Sequence, residues 1–277
     1  MDLTKVSGKL RQLFCGAPRL WVPFLWGWLV NRRRRVRPCV FPGAAQIVIV
    51  PFHDYYESYQ FFAETISGRR EIAAFTSALK RDDVIFDIGG FRGAYTMAAK
   101  ARFPEVAIHV FEPVRANANR IREVVELNHF NDIEVHETAV AAGVSIRGSI
   151  DPRDGMLRNA VDANTPSVDV PACSLDSLTA SGGAAPTIIK LDVDGFELEV
   201  LRGAETCLRR YRPRIWIELH PEFLKAKGVP VMEVTDLLAA LGYRVTGFSD
   251  AEGPDRHIAY HVWAVHPEGC GAGGANP

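Results

Sequence analysis

The chain has 277 residues, 47% of them apolar and 23% charged, with a formal charge of −1 and five cysteines. Such proportions exclude a disordered, collagen-like or polytopic membrane protein, and the length suffices for one large buried core or two small ones. The near-neutral balance excludes a general nucleic-acid binder, which needs a basic face for phosphate contacts.

The average hides an asymmetry. Residues 1–40 hold nine lysines and arginines against one acid, Asp2, so the rest of the chain is acidic. Within that segment LWVPFLWGWLV (20–30) carries three of the five tryptophans and runs directly into NRRRRVR (31–37). As a helix this apolar run spans roughly 16 Å, about half of a ~30 Å hydrocarbon core. Pro23, Gly27 and Arg19 make a spanning helix the weakest reading. Arginines after the apolar run do not suit a secretory signal. Two stronger readings stay open. One is an interfacial segment over 19–37, with tryptophans at headgroup depth and arginines on an anionic membrane surface. The other is a docking arm whose tryptophans pack on protein. Cysteines 15, 39, 173, 207 and 270 show no C-x-x-C or Cys/His ligand spacing. Neither a disulfide framework nor a zinc site is indicated, which fits a cytoplasmic protein, peripheral at the inner face of the membrane on the interfacial reading.

Residues 41–80 combine the apolar run IVIVPF (47–52), a strand or hairpin, with the cluster His53, Asp54, Tyr55, Tyr56, Tyr59, Phe61 and Phe62, an aromatic-rich helix or a lid, and a helix over 71–80. Strands and helices then alternate: strand 84–88, helix 93–103, strand 106–112, helix 114–129, strand 133–140. A second series has strand 187–193, helix 196–211, strand 214–219 and helix 231–241, and ends with strands 243–248 and 257–265 joined by a turn. The pattern predicts an α/β, doubly wound, mostly parallel sheet over 81–266 with an antiparallel terminal strand. The glycine-rich tail 267–277 reads as disordered.

DIGGFRG (87–93) joins the first strand of this series to its helix, where an open α/β sheet binds ligands. Gly89, Gly90 and Gly93 permit a tight turn and close backbone approach. Glu112 ends the next strand, where a carboxylate can accept both hydroxyls of a ribose. Asp87 stands where a dinucleotide fingerprint would put its first glycine, so GxGxxG is not satisfied. A carboxylate there would repel a pyrophosphate and suits a cationic nucleoside, which favours S-adenosyl-L-methionine over NAD.

Three stretches carry a family resemblance: VIFDIGGFRGAYT (84–96), VFEPVRANANRI (110–121), and SLDSL (174–178) leading to IIKLDVDGFELEVLRGAE (188–205). In them the chain resembles the FkbM-type S-adenosylmethionine-dependent methyltransferases, over about Glu71 to Phe248. The resemblance implies a class I methyltransferase, Rossmann-like sheet and O-methylation of a hydroxyl on a sugar, glycolipid, polysaccharide or related metabolite. Two positions depart from the family pattern. Gly90 and Phe91 stand where Ala-Asn is usual, and Asp194 replaces a Glu.

On this reading Asp87, Gly89, Gly90, Gly93 and Glu112 bind the cofactor, and Ala139 with Val140 lines the adenine. Asp192 ends a buried strand, where a carboxylate is costly unless used or paired. It is expected to position the acceptor, act as base or bind metal. Glu218 and His220 end the next strand and face the same crevice, and His220 near pH 6.5 would remove the hydroxyl proton. A divalent metal such as magnesium between Asp192 and Glu218 is the alternative to that base. Lys190 and Glu197 are expected to pair or to cap the following helix. Two competing functions are a nicotinamide-dependent oxidoreductase and a catalytically inactive membrane scaffold.

Overall fold

A computed structural model of the protein describes residues 36–51, 59, 66–151, 155–158, 166–180, 182–247 and 259–270. Outside them lie the tryptophan and arginine runs, the lid residues His53, Tyr55 and Tyr56, the turn between the last two strands and the end of the tail. The chain divides into two compact units. One comprises residues up to 82 with 92–107 and 119–133, the other 83–91, 108–118 and 134 onward.

The first unit holds the antiparallel hairpin β1 (Val36–Cys39) and β2 (Val48–Pro51), helix α1 (Ile66–Ser77) and helix α2 (Ala94–Arg102). The hairpin begins inside the basic segment 1–40. Ile49 sits opposite Pro38, and Asn128 satisfies its outward backbone: Ile49 N donates to Asn128 Oδ1 at 2.6 Å and Asn128 Nδ2 to Ile49 O at 2.7 Å. An edge strand with both groups thus answered leaves no orphan polar atoms there.

The second unit carries the main sheet. Its strands are β3 (Val84–Ile88), β4 (Ala107–Phe111), β5 (Ile133–His136), β10 (Ile188–Leu191), β11 (Arg214–Leu219), β12 (Arg244–Gly247) and β13 (Tyr260–Val265), in the order β12-β13-β11-β10-β3-β4-β5. β10 runs parallel to both β3 and β11, and β13 runs antiparallel to β11 and β12. The continuous apolar runs of β10 and β11 are buried on both faces, as a parallel sheet core requires. Helix α3 (Arg115–Leu127) follows β4. The remaining helices are α4 (Leu175–Ala180), α5 (Glu197–Arg202), α6 (Glu205–Tyr211), α7 (Pro221–Ala226) and α8 (Val231–Ala240). Leu198, Leu201, Leu208, Leu224 and Leu238 share one core with Ile189, Leu191, Ile215 and Ile217.

Three expectations change. The strand read over 133–140 breaks after His136. Its second part, β6 (Ala139–Val140), leaves for a four-stranded sheet with β7 (Ser145–Ile150), β8 (Leu157–Arg158) and β9 (Val168–Cys173), in the order β6-β9-β7-β8. That sheet is exposed and polar on one side, and its strands are only two to six residues long. The helix read over 196–211 is two, α5 and α6, because Gly203 packs directly on the backbone of Ala141 and Ala142. A side chain there would meet Ala142 N at 2.7 Å. Finally α7 occupies the stretch between β11 and α8, for which the sequence predicts no element, and starts with Pro221 in its first turn.

Candidate active site

The loop after β3 is tied to the ends of both neighbouring strands. Gly89 N and Gly90 N donate to Phe111 O at 3.0 and 3.2 Å, and Asp192 N donates to Ile88 O at 3.1 Å. Gly89 has φ +77°, and any Cβ on it would collide with the carbonyl oxygen of Asp192. Glycine is therefore required twice over, by conformation and by space. Phe91 adopts φ +48°, a left-handed conformation costly for an aromatic residue. Its N–H donates to Glu112 Oε2 at 2.7 Å, a charge-assisted bond that offsets the cost. Glu112 Oε1 accepts from Val114 N at 2.9 Å and Asn117 Nδ2 at 3.5 Å. Burial pushes the Glu112 carboxyl up to about 7, against the pull of these donors.

Gly93 also has a positive φ and precedes α2, in the first unit. Ala139 is buried and pairs with Ala172 across β6 and β9, as Val140 pairs with Cys173. Their placement at the end of β6 is a break in the main sheet rather than the end of its third strand.

Asp87 and Lys190 are register partners on β3 and β10, and both are buried. Lys190 Nζ donates to Gly89 O at 2.7 Å and lies 3.3 Å from Asp87 Oδ1 and 3.3 Å from Asp192 Oδ2. Burial alone would lower the Lys190 ammonium, but the charges of Asp192 and Asp87 outweigh it and hold it above its ordinary value. The expected pairing of Lys190 with Glu197 does not occur. Adjacent strands put Lys190 between two aspartates on its own sheet, and Glu197 turns to His220 instead.

The ends of β10 and β11 gather four carboxylates around one imidazole. Glu197, wholly buried, accepts from Gly195 N at 3.1 Å and lies 2.8 Å from His220 Nδ1. His220 Nε2 faces Asp194 Oδ1 at 3.3 Å and Asp192 Oδ1 and Glu218 Oε1, each at 3.8 Å. Burial would lower this histidine, yet the bond to Glu197 and the charges of Asp192, Glu218 and Glu197 hold it up at about 10. The surrounding carboxylates thus favour the imidazolium of His220, against the expectation of a base near pH 6.5. A histidine enclosed by carboxylates keeps its proton.

Asp194 has φ +45° in the turn after β10, and its Oδ2 lies 3.6 Å from Arg158 Nε. Burial pushes Asp194 up to about 7, with His220 and Arg158 pulling down and Asp192 and Glu218 pushing up. Burial also raises Asp192, but Lys190, His220 and His261 outweigh it and hold the carboxyl below its ordinary value. Gly195, at φ +97°, completes the turn, and a Cβ there would meet Phe223 Cβ at 2.6 Å.

The structure therefore brings Asp192, Glu218 and His220 together, links Asp87 to them through Lys190, and sets Glu112 against the glycine loop. Two participants escaped the sequence reading. His261 on β13 is the register partner of Glu218, with Nε2 3.3 Å from Glu218 Oε2 and its ring on Trp216 at 5.0 Å. Only strand pairing reveals it. Arg158 comes from β8, in the sheet the sequence did not announce, and also holds Asp151 Oδ2 at 3.1 Å.

Residues 87–245, more than half of the chain, match the methyltransferase FkbM domain. No curated protein matches the chain. Among solved structures it is similar to methyltransferase FkbM from Methylobacillus flagellatus KT, with 18% identity, a TM-score of 0.47 and coverage of 76% of this chain and 57% of that one. It thus spans little more than half the length of that relative. It is similar also to the SAM-dependent O-methyltransferase of Thermotoga maritima, with 13% identity, a TM-score of 0.47 and coverage of 79% and 73%. A third is the precorrin-6y C5,15-methyltransferase of Geobacter metallireducens GS-15, with 13% identity, a TM-score of 0.43 and coverage of 71% and 88%. The matched domain runs from Asp87 past His220, through the glycine loop, Glu112 and the carboxylate cluster, and the chain belongs to the FkbM family of methyltransferases.

Proposed function

We propose that the protein transfers the methyl group of S-adenosyl-L-methionine to a hydroxyl of a sugar, glycolipid or polysaccharide. The observation that carries this reading is the set of carboxylates Asp192, Asp194 and Glu218 around His220 at the ends of β10 and β11. The loop and Glu112 fit the cofactor. Glu112 Oε2, which accepts from Phe91 N, keeps a second lone pair to which a ribose hydroxyl can donate. When bound, S-adenosylmethionine supplies an electrophilic methyl group on a sulfonium.

The chain's own groups orient and deprotonate the acceptor. Asp192, the most solvent-accessible of the aspartates here with 22% of its side chain exposed, accepts the hydroxyl's hydrogen bond and takes its proton. Lys190 lies 3.3 Å from one of its oxygens and His220 3.8 Å from the other, so the carboxylate is held in place before the hydroxyl arrives. General-base help of this kind contributes typically ~10²–10⁴-fold. A divalent cation such as magnesium is the competing occupant, and it would have to displace the proton on His220 Nε2. Activity that survives EDTA supports the imidazolium reading, and loss restored by magnesium supports the cation.

The membrane half of the proposal rests on residues 19–37, which lie outside the described residues. No described helix is long and apolar enough to cross a membrane. A tryptophan-arginine segment at an anionic surface would bring the enzyme to lipid-linked saccharides at the inner face of the membrane. Co-sedimentation with anionic vesicles that is lost on deleting residues 1–35 is the expected result. Equal co-sedimentation of both forms would refute it. For the reaction itself, Asp192→Asn should abolish methyl transfer to a hydroxyl acceptor while leaving cofactor affinity within a few-fold. Full activity in that variant would remove Asp192 from the chemistry.

A further inference from the structure

Away from the carboxylate cluster, β4 and β5 bring a second set of ligating side chains together. His109 lies two residues before Phe111 on β4, and Glu134 two before His136 on β5, so each pair shares a face of its strand. His109 Nδ1 lies 3.3 Å from His136 Nε2 and 3.3 Å from Glu134 Oε2, and His136 Nε2 lies 3.7 Å from the same oxygen. Each residue offers one ligand atom, and the three atoms lie within 4.8 Å of one another.

The three separations carry the argument. A tetrahedral ion with ligands at about 2.0–2.2 Å places them about 3.3–3.6 Å apart along each edge. The observed triangle of 3.3, 3.3 and 3.7 Å is one face of such a tetrahedron. The imidazole planes differ by 14° with ring centres 5.6 Å apart. With the two nitrogens 3.3 Å apart, that separation sets the rings edge to edge, nearly coplanar, with the two nitrogens facing each other. Phe111 stacks on His136 at 4.7 Å and Phe86 packs on His109 at 5.1 Å, so both rings are held from behind.

We propose that His109, Glu134 and His136 bind one divalent transition-metal ion of the zinc type, with a fourth position open to solvent. Two imidazoles and one carboxylate suit a borderline-soft ion and not magnesium, which prefers an all-oxygen shell. The ion clamps β4 to β5 next to the point where Glu112 N donates to His136 O at 3.0 Å. It thereby braces the strand end that presents Glu112. The site stands apart from the reaction and does not depend on the reading of Asp192.

The test uses the full-length, untagged protein stripped of metal. Zinc is titrated by calorimetry, and cobalt is followed by its visible absorption, which reports tetrahedral imidazole ligation. One equivalent of zinc should bind. Glu134→Ala, at a 68% exposed side chain, and His136→Gln should each weaken binding by roughly tenfold or more. Asp192→Asn should leave zinc affinity unchanged. Three results would overturn the proposal: no saturable zinc binding, equal affinity in the Glu134 and His136 variants, or loss of binding in Asp192→Asn alone.

Discussion

The carboxylate of Glu197, wholly buried, lies 2.8 Å from Nδ1 of His220 and so fixes which way the ring presents Nε2 to Asp192, Asp194 and Glu218. This geometry makes His220 a structural cation. Replacing it with alanine leaves four carboxylates clustered without their central charge, and breaking a buried pair in this way costs about 3–5 kcal/mol. His220→Ala should therefore lower stability by that order in urea unfolding. A stability equal to the parent's, with activity alone lost, would return His220 to the role of base.

Glu112 gives the fold a signature in pH. Its carboxyl titrates near 4.5 in the unfolded chain and is pushed up to about 7 by burial in the native one. Between those values the native state holds a proton that the unfolded state has lost. Stability must then fall as pH rises through this window, by up to about 3 kcal/mol, and level off above it. In Glu112→Gln this contribution to the slope disappears, and the part due to Asp194, also pushed up to about 7, remains. Parallel stability curves for the two proteins from pH 4.5 to 7.5 would contradict the assignment.

Gly89 and Gly228 separate two costs. Both have positive φ, at +77° and +73°, but only Gly89 lacks room, since a Cβ at Gly228 meets nothing within 4 Å. Gly228→Ala should cost about 1 kcal/mol, the conformational term alone. Gly89→Ala must also move the carbonyl of Asp192, so it should cost about 3 kcal/mol or more. Thermal melts of the two variants decide the point, and equal losses would show that the β3 and β10 ends are not so tightly apposed.

Much of this site could be read from the chain because its chemistry is local. Asp87, the glycines and Glu112 are fixed by the strand-loop-helix pattern, and Asp192, Glu218 and His220 by the ends of apolar strands. What escaped depends on pairing across the sheet. Lys190 and Glu197 are expected to pair or to cap the following helix, whereas register sets Lys190 against Asp87 and Glu197 accepts from Gly195 N at the start of that helix. His261 was invisible because nothing local places it opposite Glu218. Arg158 arrives on a two-residue strand, too short to carry a pattern of its own. The protonation of His220 is a property of its assembled neighbours, which no single segment contains.

The most direct measurement is calorimetric titration of the folded protein with S-adenosylmethionine, in two buffers of different ionisation enthalpy near pH 6.5. Ribose hydroxyls donating to Glu112 favour its charged form. Binding should therefore release a proton and give a buffer-dependent heat, and Glu112→Ala should weaken binding by roughly tenfold or more and abolish that dependence. Absence of binding by the folded protein, or binding that Glu112→Ala leaves unchanged, would contradict the account.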